Sequence, residues 1–504
     1  IRRLVLGQRP YSRMAFARAT AEARERMDAE GSGVKPRLAE ALQRLEGAFV
    51  PEARRPCAGG AEDCPPERFA AYARQARLDL TAAESPFREI PTRYLPVFNV
   101  DGENLDADLN PLLQSNQGRE LADGATLAAE AWADAQLGHH LSAQAMPRAW
   151  LTRSGGDGFG ARATLMGGYV RGLFGNLAVD VGRTEATHGH ARTYGPVLSH
   201  NPRGFDLVRL SMEEPRRLPW VLRALGTTRF AAWVADMGRD QDTPGSKLFV
   251  VEAALRPHPN LELGGSLLNH QGGKGSPDAT LVERLRDLLF LERRPYLPVA
   301  PNPEISDKVL AVDARLGLPG LGAALYFEGM TTDDHNLFMS PRDGLWNNAA
   351  WTGGVEVAGL GREGRTDLWL EANHAGVRAY THHQFTTGMA LDRRVLGTPV
   401  GPLGAGIQGG VTWNGSTQTV QMGGAWERYA GDLYEEDPES HRFLRIADNP
   451  DEVRVRTTLD WTRVPAPTGV RTTVRLGYEH VTRFDFTKAN RSNFLAQVSV
   501  GYVW

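Results

Sequence analysis

Among the residues able to do chemistry, histidines stand out because they come in close pairs: His139 with His140, His188 with His190, and His382 with His383. Two imidazoles at i and i+2 share one face of a strand, so such pairs invite a metal reading. The pairs lie far apart in the chain and no cysteine accompanies them, so hydrogen-bonding or solvent-exposed histidines are the expectation, and no metal or other cofactor is assigned. Serine, histidine and aspartate residues for a triad are present, yet there is no Gly-x-Ser-x-Gly elbow and no glycine-rich phosphate loop followed by lysine. The expectation is therefore a protein without catalytic machinery. The two cysteines, Cys57 and Cys64, sit in the loop-like stretch RRPCAGGAEDCPP. Their separation suits a disulfide in an oxidising compartment and lacks the second ligand pair of a zinc site.

Composition narrows the class. The chain has 504 residues, 41% of them hydrophobic and 23% charged, and a formal net charge of -3, which gives no basic excess for nucleic acid. The mean hydropathy of -0.37 reads as soluble. A transmembrane barrel averages out the same way, because lipid-facing and lumen-facing residues alternate, whereas a membrane helix needs about 18 consecutive apolar residues. No such run occurs, so helical membrane proteins are excluded and barrels are not. The chain opens at Ile1 without a leader-like apolar segment, which bears on export in neither direction.

The elements that must position these side chains change character along the chain. Residues 1–90 read as about three short amphipathic helices. Ser12 caps the first, which runs to about Glu30, and Leu38, Leu42, Leu45 and Phe49 stripe the second. Pro66 opens the third, with Phe69, Tyr72, Ala73 and Ala76 on one face. Helices of this length are marginal alone, so they are expected to dock on something larger.

Over residues 91–504 the period becomes two. Phe494, Ala496, Val498, Val500, Tyr502 and Trp504 form an apolar face opposite Gln497, Ser499 and Gly501. Val470, Thr472, Val474, Leu476 and Tyr478 alternate with Arg471, Thr473, Arg475 and Glu479, and Leu368 and Leu370 with Asp367, Trp369 and Glu371. Alternation alone also fits a soluble or surface-layer sandwich. Connection lengths decide: short turns at Leu318–Gly320, Asn414–Gly415 (a type I′ hairpin signal) and Pro465–Gly469 alternate with long loops near His270–Ser306, Thr332–Asn348, Val377–Gly401, Tyr429–Glu452 and Thr482–Arg491. Long loops are also read near Ser154–Gly160, Ala186–Arg203 and Gly238–Ser246. One compact and one elaborated rim mark a transmembrane barrel, and counting back with a first strand between Val97 and Leu113 predicts about 18 antiparallel strands. On this reading Glu262, Arg315, Glu371, Arg454, Arg456 and Glu479 face the lumen, where they line a water-filled pore or pair across a plugged interior.

Four stretches then resemble one family, the Wzi-type capsule-assembly proteins. They are HGHARTYGPVLSHNPRGFDLVRLSMEEP, with Tyr194 where the family has Trp, LFVVEAALRPHPNLELGGSLLNHQGGKG, LYFEGMTTDDHN, and LWLEANHAGVRAYTHHQFTTGMALDRRVLGTPVG. The resemblance implies an outer-membrane barrel whose N-terminal helices and C-terminus are periplasmic. It implies a lectin-like role, holding capsular or exopolysaccharide at the cell surface, with outer-membrane lipid, lipopolysaccharide and periplasmic export components as further partners. A diffusion channel for small solutes or oligosaccharides is the alternative. Sugar binding uses flat aromatic faces with carboxylates and amides, which points to Trp346, Trp351, Tyr434, Asp334 and Arg394 in the long loops. The stretch GDLYEEDPESHRFLRIADNPDE is acidic and would repel an acidic polymer, so a neutral glycan or a bridging divalent cation fits it better.

Overall fold

Alternating side chains settle on opposite faces of a pleated strand, and a strand with one apolar face must put that face against lipid or a core. In the computed structural model, which describes residues 4–30, 35–49, 69–85, 88–90, 105–110, 112–113, 115–138, 140–154, 158–288, 305–332, 345–382, 385–436, 443–463 and 468–504, this alternation produces a closed antiparallel barrel of 18 strands. The strands are β1 (Phe69–Glu84), β2 (Gly124–Leu137), β3 (Leu141–Ser154), β4 (Gly158–Phe174), β5 (Leu177–Thr184), β6 (Phe205–Met212), β7 (Thr227–Asp236), β8 (Lys247–His258) and β9 (Leu261–Gln271). They continue as β10 (Ser306–Leu318), β11 (Ala323–Thr332), β12 (Ala349–Leu360), β13 (Thr366–Ala375), β14 (Gly404–Asn414), β15 (Gln418–Tyr429), β16 (Glu452–Arg463), β17 (Gly469–Thr482) and β18 (Arg491–Val503). Each pairs with its sequence neighbours, and β1 closes the ring by pairing with both β2 and β18, Ala76 opposite Ala131 on one side and Tyr502 on the other. No sheet edge is left unpaired in the ring, the condition for crossing a membrane with strands.

The outward face is apolar around the ring. Leu78, Leu80, Leu151, Val312, Leu370, Ile407, Met422, Val500 and many like them are exposed. A soluble monomer rarely leaves so much contiguous apolar surface in water, whereas lipid covers it. Among the described residues no helix is long and apolar enough to cross a membrane.

The structure corrects the expected third helix. Residues 69–84 are strand β1, not helix, and the barrel begins there instead of after residue 90. The segment is alanine-rich, which favours helix, but Arg77, Asp79 and Thr81 alternate with the outward Leu78 and Leu80, and pairing on both sides outweighs a propensity of a few tenths of a kcal/mol per residue. The first strand expected between Val97 and Leu113 is absent from the ring. Residues 105–113, as far as they are described, fold inside it instead, with Leu105, Leu109 and Leu113 almost fully buried.

Connections of one rim are short, as between β8 and β9 or β10 and β11, and those of the other are long, up to residues 85–123, 272–305 and 376–403. Two depart from expectation. The link between β3 and β4, expected to be long, spans only residues 155–157, and the short-rim link between β6 and β7 is extended by a two-turn 3₁₀ helix at Trp220–Leu225. At residues 415–417 the turn has three residues, closed by Gly415 N donating to Gln418 O at 2.8 Å, in place of the type I′ pair. The long link 272–305 contains a helix, Leu281–Leu288.

Two N-terminal helices, α1 (Arg13–Glu30) and α2 (Pro36–Ala48), pack on each other through the stacked rings of Phe16 and Phe49 and an Arg24–Glu46 ion pair. Ser12 caps α1 as expected, its Oγ accepting from Ala15 N at 2.9 Å. Both helices dock on the short-turn rim: Arg18 pairs with Glu214 after β6, Arg37 with Asp367 and Arg365 with Glu40 beside β13. Cys57 and Cys64 lie outside the described residues.

Candidate functional site

The main apolar core lies inside the barrel. It is built by chain folding back into the lumen and not by the wall alone. Residues 186–203, between β5 and β6, enter the lumen and bury Tyr194, Val197 and Leu198. Over them lies the segment 376–403, with Tyr380, Phe385, Leu391 and Leu396 buried. Tyr380 Oη donates to Pro196 O (2.6 Å), Ser199 N to Leu396 O (2.8 Å) and Asn201 Nδ2 to Val395 O (2.9 Å). Residues 4–11 thread in from the other end. Leu6 N and Gly7 N both donate to Glu262 Oε1 at 2.7 Å, Gly189 N donates to Gly7 O at 2.8 Å, and Arg9 N to Thr187 O at 3.1 Å.

The wall meets this plug with carboxylates. Glu328 accepts from the backbone N–H groups of His190 and Ala191, and Glu371 from Arg192 N. Gly189 has φ +93°, and a Cβ there would collide with the Glu328 carboxylate, so the close approach depends on glycine. Tyr194 Oη donates to Glu427 Oε1 (2.7 Å) while accepting from Arg456 Nη2 (2.5 Å), which also reaches Glu427 (2.7 Å). His188 and His190 contact Asp313 at 2.8 and 3.0 Å. Burial alone would lower the pKa of His188, but Asp313 and Glu252 outweigh it and raise it to about 10, so this residue is cationic at neutral pH.

The lumen-facing charges named from sequence do point inward. Glu262, Glu371, Arg454, Arg456 and Glu479 are buried, and Arg315 pairs with Glu356 at 2.7 Å. Their partners lie on neighbouring strands of the wall: Glu479 holds Arg454 at 3.3 Å and Asn493 at 2.6 Å. Sequence reading missed Glu328, Glu427 and Asp313 as plug ligands. Their signal was present as single carboxylates on inward positions, but nothing local says which loop they receive.

The histidine pairs do not converge. His188 and His190 are buried in the plug, His382 packs on Phe385, His140 is exposed, and His139 and His383 lie outside the described residues. Among the described residues no group of three histidine, cysteine or carboxylate side chains is arranged to hold a metal. A Ser–His contact exists, Ser246 Oγ to His270 Nε2 at 2.8 Å, but both residues are fully buried and out of a substrate's reach.

The saccharide candidates fall in three places. Trp346 and Trp351 come together at the long-loop rim with His374, which stacks on Trp346 at 4.2 Å and faces Trp351 in register. Trp351 points outward, since its neighbour Thr352 points inward to donate to Tyr194 O (2.6 Å), and Trp346 is 54% exposed. This is also where interfacial aromatic belts sit. Tyr434 lies in the short strand Leu433–Glu436, which pairs with Phe443–Ala447, and packs against Val377. Arg394, expected on an accessible loop, is instead buried in the 376–403 segment, because that loop folds into the barrel mouth and not over it. Asp334 lies outside the described residues.

Comparison with known proteins agrees with this architecture. The family model described as capsule assembly protein Wzi matches residues 101–425. The solved structure of Wzi, an outer membrane protein involved in group 1 capsule assembly in Escherichia coli and itself a carbohydrate-binding β-barrel, superposes with a TM-score of 0.64 at 17% identity, covering 100% of this chain and 94% of that one. OccAB1 of Acinetobacter baumannii gives a TM-score of 0.43 at 10% identity over 85% of this chain and 96% of that one. No curated protein sequence matches.

Proposed function

Because the chain belongs to the Wzi family of capsule assembly proteins, we propose that it is a non-enzymatic, lectin-like outer-membrane barrel that holds capsular or exopolysaccharide at the cell surface. The observation that carries this over the channel alternative is the filled lumen: the 186–203 loop, the N-terminal segment 4–11 and buried ion pairs occupy the path a solute would take. In this reading the long loops face outward, and α1, α2 and the C-terminal end of β18 face the periplasm, where export components and the short turns meet. Trp346, Trp351 and Tyr434 are the polymer-contact candidates that remain, the two tryptophans offering flat, partly exposed rings to a sugar face.

The test is cellular. Deleting the gene is expected to strip polymer from cells and release it into the medium, and Trp346→Ala/Trp351→Ala is expected to restore less than half of the retention restored by the parent chain, at equal barrel abundance. Normal cell-bound polysaccharide in the deletion strain, with no rise in released polymer, would remove this role.

A further inference from the structure

One part of the lumen is not filled by the plug. Between β1, β3 and β15–β18 lies a cavity of about 640 Å³, within the range of small-molecule sites of roughly 300–1,000 Å³. Toward the long loops it is closed by the apolar cluster of Ala83, Leu112, Leu113 and Leu495. In the other direction its lining runs down the wall to Gln75 and Arg471, close to the short-turn ends of β1 and β17.

Its charge is predominantly positive, six arginines against Asp79 and Asp460. The arginines are Arg77, Arg119, Arg148, Arg192, Arg471 and Arg475. Arg77, Arg119 and Arg148 share Asp79 and Glu130, and Arg475 is taken by Asp460 at 2.5 Å. Arg192, brought in by the plug, lies over the Trp369 ring and touches only the Gln421 amide at 3.4 Å, while Arg471 makes no ion pair among the described residues. Both are exposed to the cavity. Arg148 is 1% exposed, yet its Nε and Nη2 have no hydrogen-bond partner among the described residues. Buried guanidinium donors left open are rare and ask for an acceptor. Besides Asp79, Asp460 and His200, the rest of the polar lining consists of amides and hydroxyls, including Gln117, Gln421, Gln497, Thr473 and Ser499.

We propose that this cavity is a binding site for an acidic saccharide, its oxyanion held by Arg192 and Arg471 and its hydroxyls by the surrounding amides. A guanidinium fork fits carboxylate and phosphate oxygens equally, and a low-dielectric cleft with an excess of one sign of charge concentrates the opposite sign. The acid is therefore a uronate or a sugar phosphate. The site goes beyond the surface role above: it lies inside the barrel, lined in part by Gln117 and Arg119 of the link 85–123 and by Arg192 and His200 of the plug.

Calorimetric titration of the detergent-purified full chain tests it, with trigalacturonate, glucose 6-phosphate, neutral maltotriose and inorganic phosphate as separate probes. One of the two acidic sugars is expected to bind, more weakly at high salt, and Arg192→Gln/Arg471→Gln is expected to weaken it by about tenfold or more. Neither arginine holds a structural carboxylate, so the variant is expected to remain folded by its heat-modifiable gel mobility, and Arg471→Lys is expected to recover part of the affinity. Binding of trigalacturonate or of glucose 6-phosphate decides between uronate and phosphate. Inorganic phosphate binding as tightly as either sugar, maltotriose matching them, an unchanged affinity in the folded double variant, or no binding of either acid at low salt would each overturn the proposal. Polymer retention on cells reads the surface role separately, so the two can fail independently.

Discussion

The two sides of the barrel interior use their charges differently. From β8 to β15 the wall presents Glu252, Glu262, Asp313, Glu328, Glu371 and Glu427, and chain is folded against them so that backbone N–H groups, two histidines and one tyrosine meet the carboxylates. From β16 round to β3 the wall presents arginines, most of them paired with Asp79, Glu130, Asp460 or Glu479, and a cavity remains. A carboxylate is an acceptor, and a loop entering a lumen brings unsatisfied N–H donors, so an acidic wall can solidify around a plug. A guanidinium is only a donor and finds few acceptors on such a loop. The acidic side is thus structural, and the basic side keeps unfilled donors that can meet something from outside.

The largest expected change comes from removing what the acidic side holds. Replacing residues 187–202 by a short Gly-Ser link is expected to turn a non-conducting protein into one with clear single-channel conductance in planar bilayers. A deletion variant that stays silent while folded would show that the other inward segments seal the barrel alone.

Next is Glu427→Ala, which leaves Arg456 buried beside Tyr194 without its carboxylate. Breaking one partner of a buried pair costs about 3–5 kcal/mol, read as a lower unfolding temperature in detergent. A loss below about 1 kcal/mol, the value of an exposed pair, would mean water reaches this side as freely as the other.

A smaller effect follows from His188. Folding raises its pKa, so its contribution is complete below its unfolded value near 6.5 and is lost as the pH climbs through about 10. Thermal stability is expected to fall across that alkaline window, and His188→Asn to remove that part of the fall. Smallest is Ser12→Ala, which deletes the α1 cap and a hydrogen bond to Glu213 and is expected to cost about 1 kcal/mol, seen as faster hydrogen exchange in the first turn of α1 with barrel stability unchanged.

Much of the wall is legible in the order of the amino acids. Apolar rows such as Val498, Val500 and Tyr502 against Gln497 and Ser499 need only the period of a strand, and loop parity gives the closed barrel and its strand number. The error at residues 69–84 shows the limit. An alanine-rich segment with mixed spacing is ambiguous locally, and only its pairing to β2 and β18 selects strand. The candidate site is less legible. Trp346 and Trp351 stand out in the sequence and do meet, but Arg394 goes inside with its loop.

By itself, the sequence determined which residues face lipid, which face inward, and that the strands close on themselves, because these follow from a two-residue period that each strand carries alone. Only the tertiary structure decided that the lumen is filled, that Tyr194 meets Glu427 and Arg456, and that Arg192 and Arg471 are left facing a cavity. Those contacts join residues more than two hundred positions apart, and in a loop without a period nothing local encodes the partner.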